Sequence, residues 1–297
     1  MLIVLGLVAV ARSTFGSDAS TAAGVTNPTS TAVDGSTTIP GAPGDGTASA
    51  ILPVRSSVTT LASVAPRAPH TPTSADPAKV LLVGDSEAGG LSPYLQKALA
   101  ATGVVSMTTD YKVSTGLVRP DFFDWPAHLQ QSIPLADPDI VVALFGGNDG
   151  QSFLGKDPNA GAAAGKSVDS PEWRAEYAKR IGALMDFLSA GGRTLVWVGV
   201  PNALKADLTA RLAVQNEVVQ AEVAKRPKVI FVDSWRHFIG IDGVSFAPYV
   251  LDPRDGGYKP VRNQTDGFHL NTDGESILAV YVSDAVDTDL RARGASI

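Results

Sequence analysis

The sequence predicts an α/β fold in which a parallel sheet is covered by helices on both faces. Three observations predict it. Apolar runs of four to eight residues recur beyond Lys79 and are too short for helices. Stretches with helical periodicity lie between them. The two kinds alternate along the chain, and strand–helix alternation feeds a parallel sheet with crossovers on its faces.

The first run, Lys79-Val80-Leu81-Leu82-Val83, ends in Gly84-Asp85-Ser86 with a helical pattern directly behind. A continuous apolar run bounded by glycine reads as a strand buried on both faces. Ser86 therefore sits at the carboxyl end of a core strand, on the turn into a helix, where open α/β sheets place their crevice. Further strands are predicted at 104–108, 139–145, 193–200 and 228–232. Between the third and fourth, Ser170 reads as a cap and Pro171 as the first helical residue, with Trp173, Tyr177, Ile181, Leu184 and Leu188 as the apolar stripe. Leu204, Leu208, Leu212, Val219 and Val223 make the next stripe, ended by Pro227, and a last helix starts near Thr272-Asp273.

Upstream, the composition changes. Residues 1–12 are an apolar run closed by Arg12, as long as a signal-peptide core and short for a bilayer span. No Lys or Arg precedes Arg12, so the run reads either as part of a longer export signal or as a weak membrane anchor. Residues 13–78 are rich in Ser, Thr, Ala, Gly and Pro, with few aromatics. Such a stretch buries too little apolar surface to offset its ordering entropy, which predicts a flexible tether. The organisation expected is an anchor or signal at 1–12, a tether at 13–78 and a globular domain at 79–297. That order points to an extracytoplasmic location in a bacterial envelope, with membrane contact only through the N-terminal segment.

Composition also excludes. The net charge of −6 over 297 residues argues against nucleic acid as the partner. There is no cysteine, hence no disulfide, thiolate metal site or cysteine nucleophile. The stretch Gly161-Ala162-Ala163-Ala164-Gly165-Lys166-Ser167 imitates a phosphate-binding loop, but it is one residue short between its glycines and follows no strand.

Ser86 is a candidate nucleophile, although serine at a helix start is also a common plain cap. A serine needs a base, and the chain has four histidines. His70 falls in the tether, His128 in a polar helix and His237 in an irregular stretch. Only His269 combines a nearby carboxylate, Asp266, with a loop ahead of the terminal helix. Asp266 can hold the second ring nitrogen and so set the tautomer. Taken alone, Asp-x-x-His is equally a surface turn with a capping aspartate, and Asn148 in Gly146-Gly147-Asn148-Asp149 is equally a turn residue.

Together, and in this order, the pieces resemble the SGNH or GDSL hydrolase superfamily. Gly84-Asp85-Ser86 matches its nucleophile block and Gly116 the glycine of its second block. Gly146-Gly147-Asn148-Asp149 and Asp266-Gly267-Phe268-His269 match the third and fourth. The resemblance covers Lys79 to the C-terminus. It implies a flavodoxin-like three-layer α/β/α sandwich with a central parallel sheet of about five strands. It further implies Ser86, His269 and Asp266 as a catalytic triad, and an oxyanion hole made by the Ser86 and Gly116 N–H groups and the Asn148 amide. Glu87 departs from the leucine common after that serine, which leaves every catalytic position filled.

The function expected is hydrolysis or transfer of acyl groups on an envelope carbohydrate or similar small ester through an acyl-serine, without cofactor or metal. The alternatives are a non-catalytic glycan-binding protein on the same fold and a lipid esterase or lysophospholipase. Phe246, Tyr249, Tyr258 and Arg262, close in sequence to Asp266, either line a substrate crevice or pack their loop down. The loop at 149–169 is a second candidate for substrate selection.

Overall fold

The computed structural model describes residues 70–297. The anchor at 1–12 and the tether up to residue 69 lie outside the described residues.

Five parallel strands form the sheet: β1 (Ala78–Gly84), β2 (Val105–Tyr111), β3 (Ile140–Leu144), β4 (Thr194–Val198) and β5 (Val229–Val232). Their order is β2-β1-β3-β4-β5. The helices between them are α1 (Ser86–Ala100), α2 (Trp125–Ala136), α3 (Pro171–Leu188) and α4 (Ala206–Ala224). A single-turn α5 (Ser234–His237), an antiparallel hairpin of β6 (Tyr249–Leu251) and β7 (Tyr258–Pro260), and α6 (Thr272–Ala292) complete the chain.

Alternation along β1 explains the layers. Val80 and Leu82 join Leu91 and Leu95 of α1 and Ile277 and Val282 of α6 in one core. Leu81 and Val83 point the other way, to Trp125 and Leu129 of α2 and Trp173 and Tyr177 of α3. Two apolar cores on opposite faces of one sheet make this a three-layer α/β/α sandwich. The chain leaves β1 for β2 on one side and enters β3 on the other, so the strand order reverses at the β1–β3 pair. The crevice of such a sheet opens at the carboxyl ends of those two strands.

Several boundaries differ from the sequence reading. The 70–78 stretch belongs to the domain rather than to the tether. Ala78 is fully buried in β1, and its N–H donates to the Val104 carbonyl at 2.9 Å. The Thr71 hydroxyl bonds the Arg293 carbonyl at 3.0 Å, and the His70 ring lies 3.6 Å from Asp139. Polar composition hid this attachment, because it runs through hydrogen bonds and not through an apolar stripe. β2 runs to Tyr111, three residues past the predicted end. Leu204, assigned to the α4 stripe, precedes the helix and is exposed.

A truncation tests the boundary. A chain beginning at residue 70 is expected to fold, whereas one beginning at 79 loses Ala78 and the Thr71 bond. That loss is expected to cost about 1–2 kcal/mol, lowering Tm by about 2–8 °C. Equal thermal unfolding of the two chains would put the boundary back at 79.

Candidate active site

Ser86 opens α1 immediately after β1, but it is not the cap. The cap is Asp85, whose Oδ1 accepts the Glu87 N–H at 3.0 Å. This leaves the Ser86 hydroxyl free for another partner, and it meets Nε2 of His269 at 2.9 Å across 183 residues of chain. Nδ1 of the same ring is 2.8 Å from Oδ2 of Asp266. An ionised carboxylate can only accept, so Nδ1 carries the proton and Nε2 presents its lone pair to the serine O–H.

Asp266 does two things at once. Its Oδ1 accepts the N–H groups of Phe268 at 2.8 Å and His269 at 3.0 Å, capping the turn ahead of α6. Its Oδ2 holds the imidazole. Burial pushes its pKa up, but the Phe268 N–H, the His269 ring and the His269 N–H together hold it below the usual carboxylate range. The capping aspartate and the histidine partner, alternatives at the sequence level, are one residue.

The other two blocks come to the same edge of the sheet. Asp85 Oδ2 accepts the Gly147 N–H at 3.0 Å, tying the turn after β1 to the turn after β3. The Asn148 amide donates to the Thr115 carbonyl at 2.9 Å, which brings it beside Gly116. Gly116 packs on Asp149 so closely that a Cβ there would overlap the carboxylate. Asp149 is buried and accepts from the Val118 N–H and the Tyr177 hydroxyl, each at 3.0 Å. Burial raises Asp85 to about 7 and Asp149 to about 6, against the pull of the backbone N–H groups each accepts. These two carboxyls brace the blocks against each other. Neither role was read from sequence, where both were letters of a motif.

The remaining candidates separate. His128 bonds Asp110 at 2.8 Å, and His237 stacks on Tyr281 with ring centroids 3.5 Å apart. Arg262 is buried under the Asp266–His269 turn. It donates to Asn202 Oδ1 at 2.7 Å and to the Phe238 and Phe268 carbonyls, between the rings of Phe238 and Phe246. For Arg262 and Phe246 the packing reading is therefore the right one. Tyr249 and Tyr258 are exposed on the β6–β7 hairpin. The 161–167 stretch is a short turn following no strand. Among the described residues, no group of His, Asp or Glu is placed to hold a metal ion, and no helix is long and apolar enough to cross a membrane.

The DUF459 family profile, described as a protein family of unknown function, matches residues 79–285. The chain belongs to the DUF459 family. No curated protein matches its sequence. Among solved structures it is similar to an acetyl xylan esterase variant from Geobacillus stearothermophilus, at 16% identity and TM-score 0.49, over 71% of this chain and 95% of the other. A GDSL-like lipase from Bacteroides thetaiotaomicron aligns at 12% identity and TM-score 0.47, over 74% and 92%. An alpha/beta hydrolase enzyme from the metagenome of Lake Arreo, Spain, aligns at 17% identity and TM-score 0.49, over 71% and 96%.

Proposed function

We propose that this DUF459 protein is a serine esterase or O-acyltransferase working through an acyl-serine intermediate. The observation that carries the reading is the continuous hydrogen-bonded line from Ser86 through His269 to Asp266 at the carboxyl edge of the sheet. A binding module has no need of a hydroxyl aligned on a histidine whose tautomer is set from behind.

In this mechanism the Ser86 oxygen attacks the ester carbonyl while Nε2 of His269 takes its proton. The charge on imidazolium is opposed by Asp266, which is ionised. The tetrahedral oxyanion is received by the Ser86 and Gly116 N–H groups and the Asn148 amide, each such donor contributing about 10²–10³ in rate. His269 then protonates the leaving alkoxide, and the acyl group stays on Ser86. Water or an acceptor hydroxyl, deprotonated in turn by His269, releases it. Hydrolysis and transfer differ only in that last nucleophile.

The substrate proposed is an acyl group on an envelope carbohydrate or similar small ester. Its support is the apolar run at 1–12 followed by Ser/Thr/Pro-rich sequence, a pattern that suits a domain exported across the cytoplasmic membrane. The test is a panel of short- and long-chain acyl esters and acetylated glycans, with and without acceptor sugars, on the full-length chain. Turnover of short acyl groups with glycan preference is expected. Exclusive turnover of long-chain lipids would favour the lipid-esterase alternative, and no turnover of any ester would remove the reading.

A further inference from the structure

Glu87 follows the nucleophile directly, in the first turn of α1, and its carboxyl is 1% exposed. Neither oxygen has a hydrogen-bond partner among the described residues. Oε1 lies 3.7 Å from Nε2 of His269, the nitrogen that also meets Ser86. Across the seam where α1 packs on α6, Glu275 comes from the first turn of the other helix, 5% exposed, with Oε2 also unpartnered. Gly90, one turn along α1 from Glu87, makes the room, since a Cβ there would overlap the Glu275 carboxyl.

An unpaired carboxyl is costly to bury, and a leucine would fill a similar space at lower cost. Packing alone does not account for glutamate here. We propose that Glu87 is a positioning residue for the catalytic base: buried at the α1–α6 seam that also holds Glu275, its carboxyl faces the Nε2–H that His269 carries whenever it has taken the Ser86 proton. The proposal rests on the reading of His269 as base. Glu87 makes and breaks no covalent bond to substrate; the proton passes only between Ser86, His269 and the leaving or entering oxygen.

The surrounding charges set when the two carboxyls ionise. Burial raises the Glu87 pKa well above the ordinary range, Glu275, Asp85 and Asp266 raise it further, and Arg262 opposes them. Burial raises Glu275 to about 8. Both carboxyls therefore stay protonated to higher pH than an exposed glutamate and ionise as pH rises. Once ionised, Glu87 adds negative charge against Nε2 and strengthens the base, because a nearby carboxylate favours the imidazolium.

The test follows the His269 ring signals by NMR from pH 5 to 10 in the full-length chain, with kcat/KM measured in parallel on an activated ester. In the wild type the ring signals are expected to inflect twice, the upper inflection marking these carboxyls, and kcat/KM to rise roughly tenfold through it. Glu87→Gln should lose the upper inflection and the rise. Glu275→Gln should keep it but move it to lower pH, because a like charge beside Glu87 is gone. A wild-type curve with a single inflection, or identical curves in the wild type and either variant, would overturn the proposal. If Glu87→Gln does not fold, the Glu275→Gln curve decides by the same criterion. A chain inactive on every ester whose ring signals still inflect twice would remove the esterase reading and leave the coupling of Glu87 to His269 standing.

Discussion

Ser86→Ala is expected to abolish ester turnover and labelling by a fluorophosphonate probe while leaving the protein folded. Removing a triad nucleophile typically costs about 10⁴–10⁶ in kcat, because the oxyanion donors and substrate binding remain without a group to acylate. The expectation that the fold survives has a structural reason. Asp85, not Ser86, caps α1, so the substitution leaves the cap in place and puts a good helix former at the first helical position. Among the described residues the only side-chain bond of Ser86 is the one to His269, and His269 keeps its bond to Asp266. Thermal unfolding should stay within about 4 °C of the wild type, the scale of about 1 kcal/mol in a domain of this size. Probe labelling that persists in the folded variant would point to another serine and sink the assignment. Loss of labelling together with loss of fold would show instead that the hydroxyl is structural.

The sheet was legible because three of its strands, β1, β3 and β4, are short apolar runs buried on both faces, which nothing but a core strand explains economically. β1 and β3 were readable nearly to the residue, since Gly84 and Gly146 close them. The β6–β7 hairpin was not readable. Its strands have three residues each, and Tyr249, Leu251 and Tyr258 turn outward, so no buried face writes an alternation into the sequence. Ser86, Asp266 and His269 could be singled out because each sits at a strand end or ahead of a capped helix. The braces could not. That Asp85 would reach Gly147 and Asp149 would reach Tyr177 depends on how turns meet in space, and spacing along the chain carries none of that.

Glu87 shows the same limit from the other direction. An acidic residue in the first helical turn is ordinarily an exposed complement to the helix dipole, and pattern alone gives no sign that this one is buried. The visible signal was the departure from leucine after the serine. For Arg262, close in sequence to the Asp266 turn, crevice lining and loop packing are equally open readings of the sequence. Its partners are carbonyls and an amide under that turn, contributed by Phe238, Phe268 and Asn202 from three separate stretches.

Asp266→Asn is expected to lower kcat/KM by about 10²–10⁴ and to move the acid limb of the profile to lower pH. The amide replaces an acceptor-only group with one that can present a donor to Nδ1. Where it does, the ring is held with its proton on Nε2, which can no longer take the Ser86 proton. Serine proteases lose about 10⁴ in kcat to the same change. A smaller loss is expected here, because the Asp266 and His269 side chains are 40% and 38% exposed, which leaves the ring room to find another acceptor. The pH shift follows from charge. With the carboxylate gone the imidazolium loses its neighbouring negative charge, so His269 stays neutral, and competent as a base, to lower pH. Asparagine keeps an oxygen for the Phe268 and His269 N–H groups, so the turn should hold and the loss should fall on kcat rather than on stability. Asp266→Ala separates the two roles, since it also removes the turn cap and should cost about 0.5–2 kcal/mol of stability in addition. The acid side of the wild-type profile carries a second signature. Asp266 is held below the usual carboxylate range, so its contribution to stability is present above its unfolded pKa and is lost only as pH falls through the lower folded value. Activity should therefore fail on the acid side before the turn does. The measurement is kcat/KM against pH for wild type, Asp266→Asn and Asp266→Ala on one activated ester, with thermal unfolding at each pH. A near wild-type rate and an unmoved acid limb in Asp266→Asn would show that the base is oriented without Asp266, leaving a Ser86–His269 dyad.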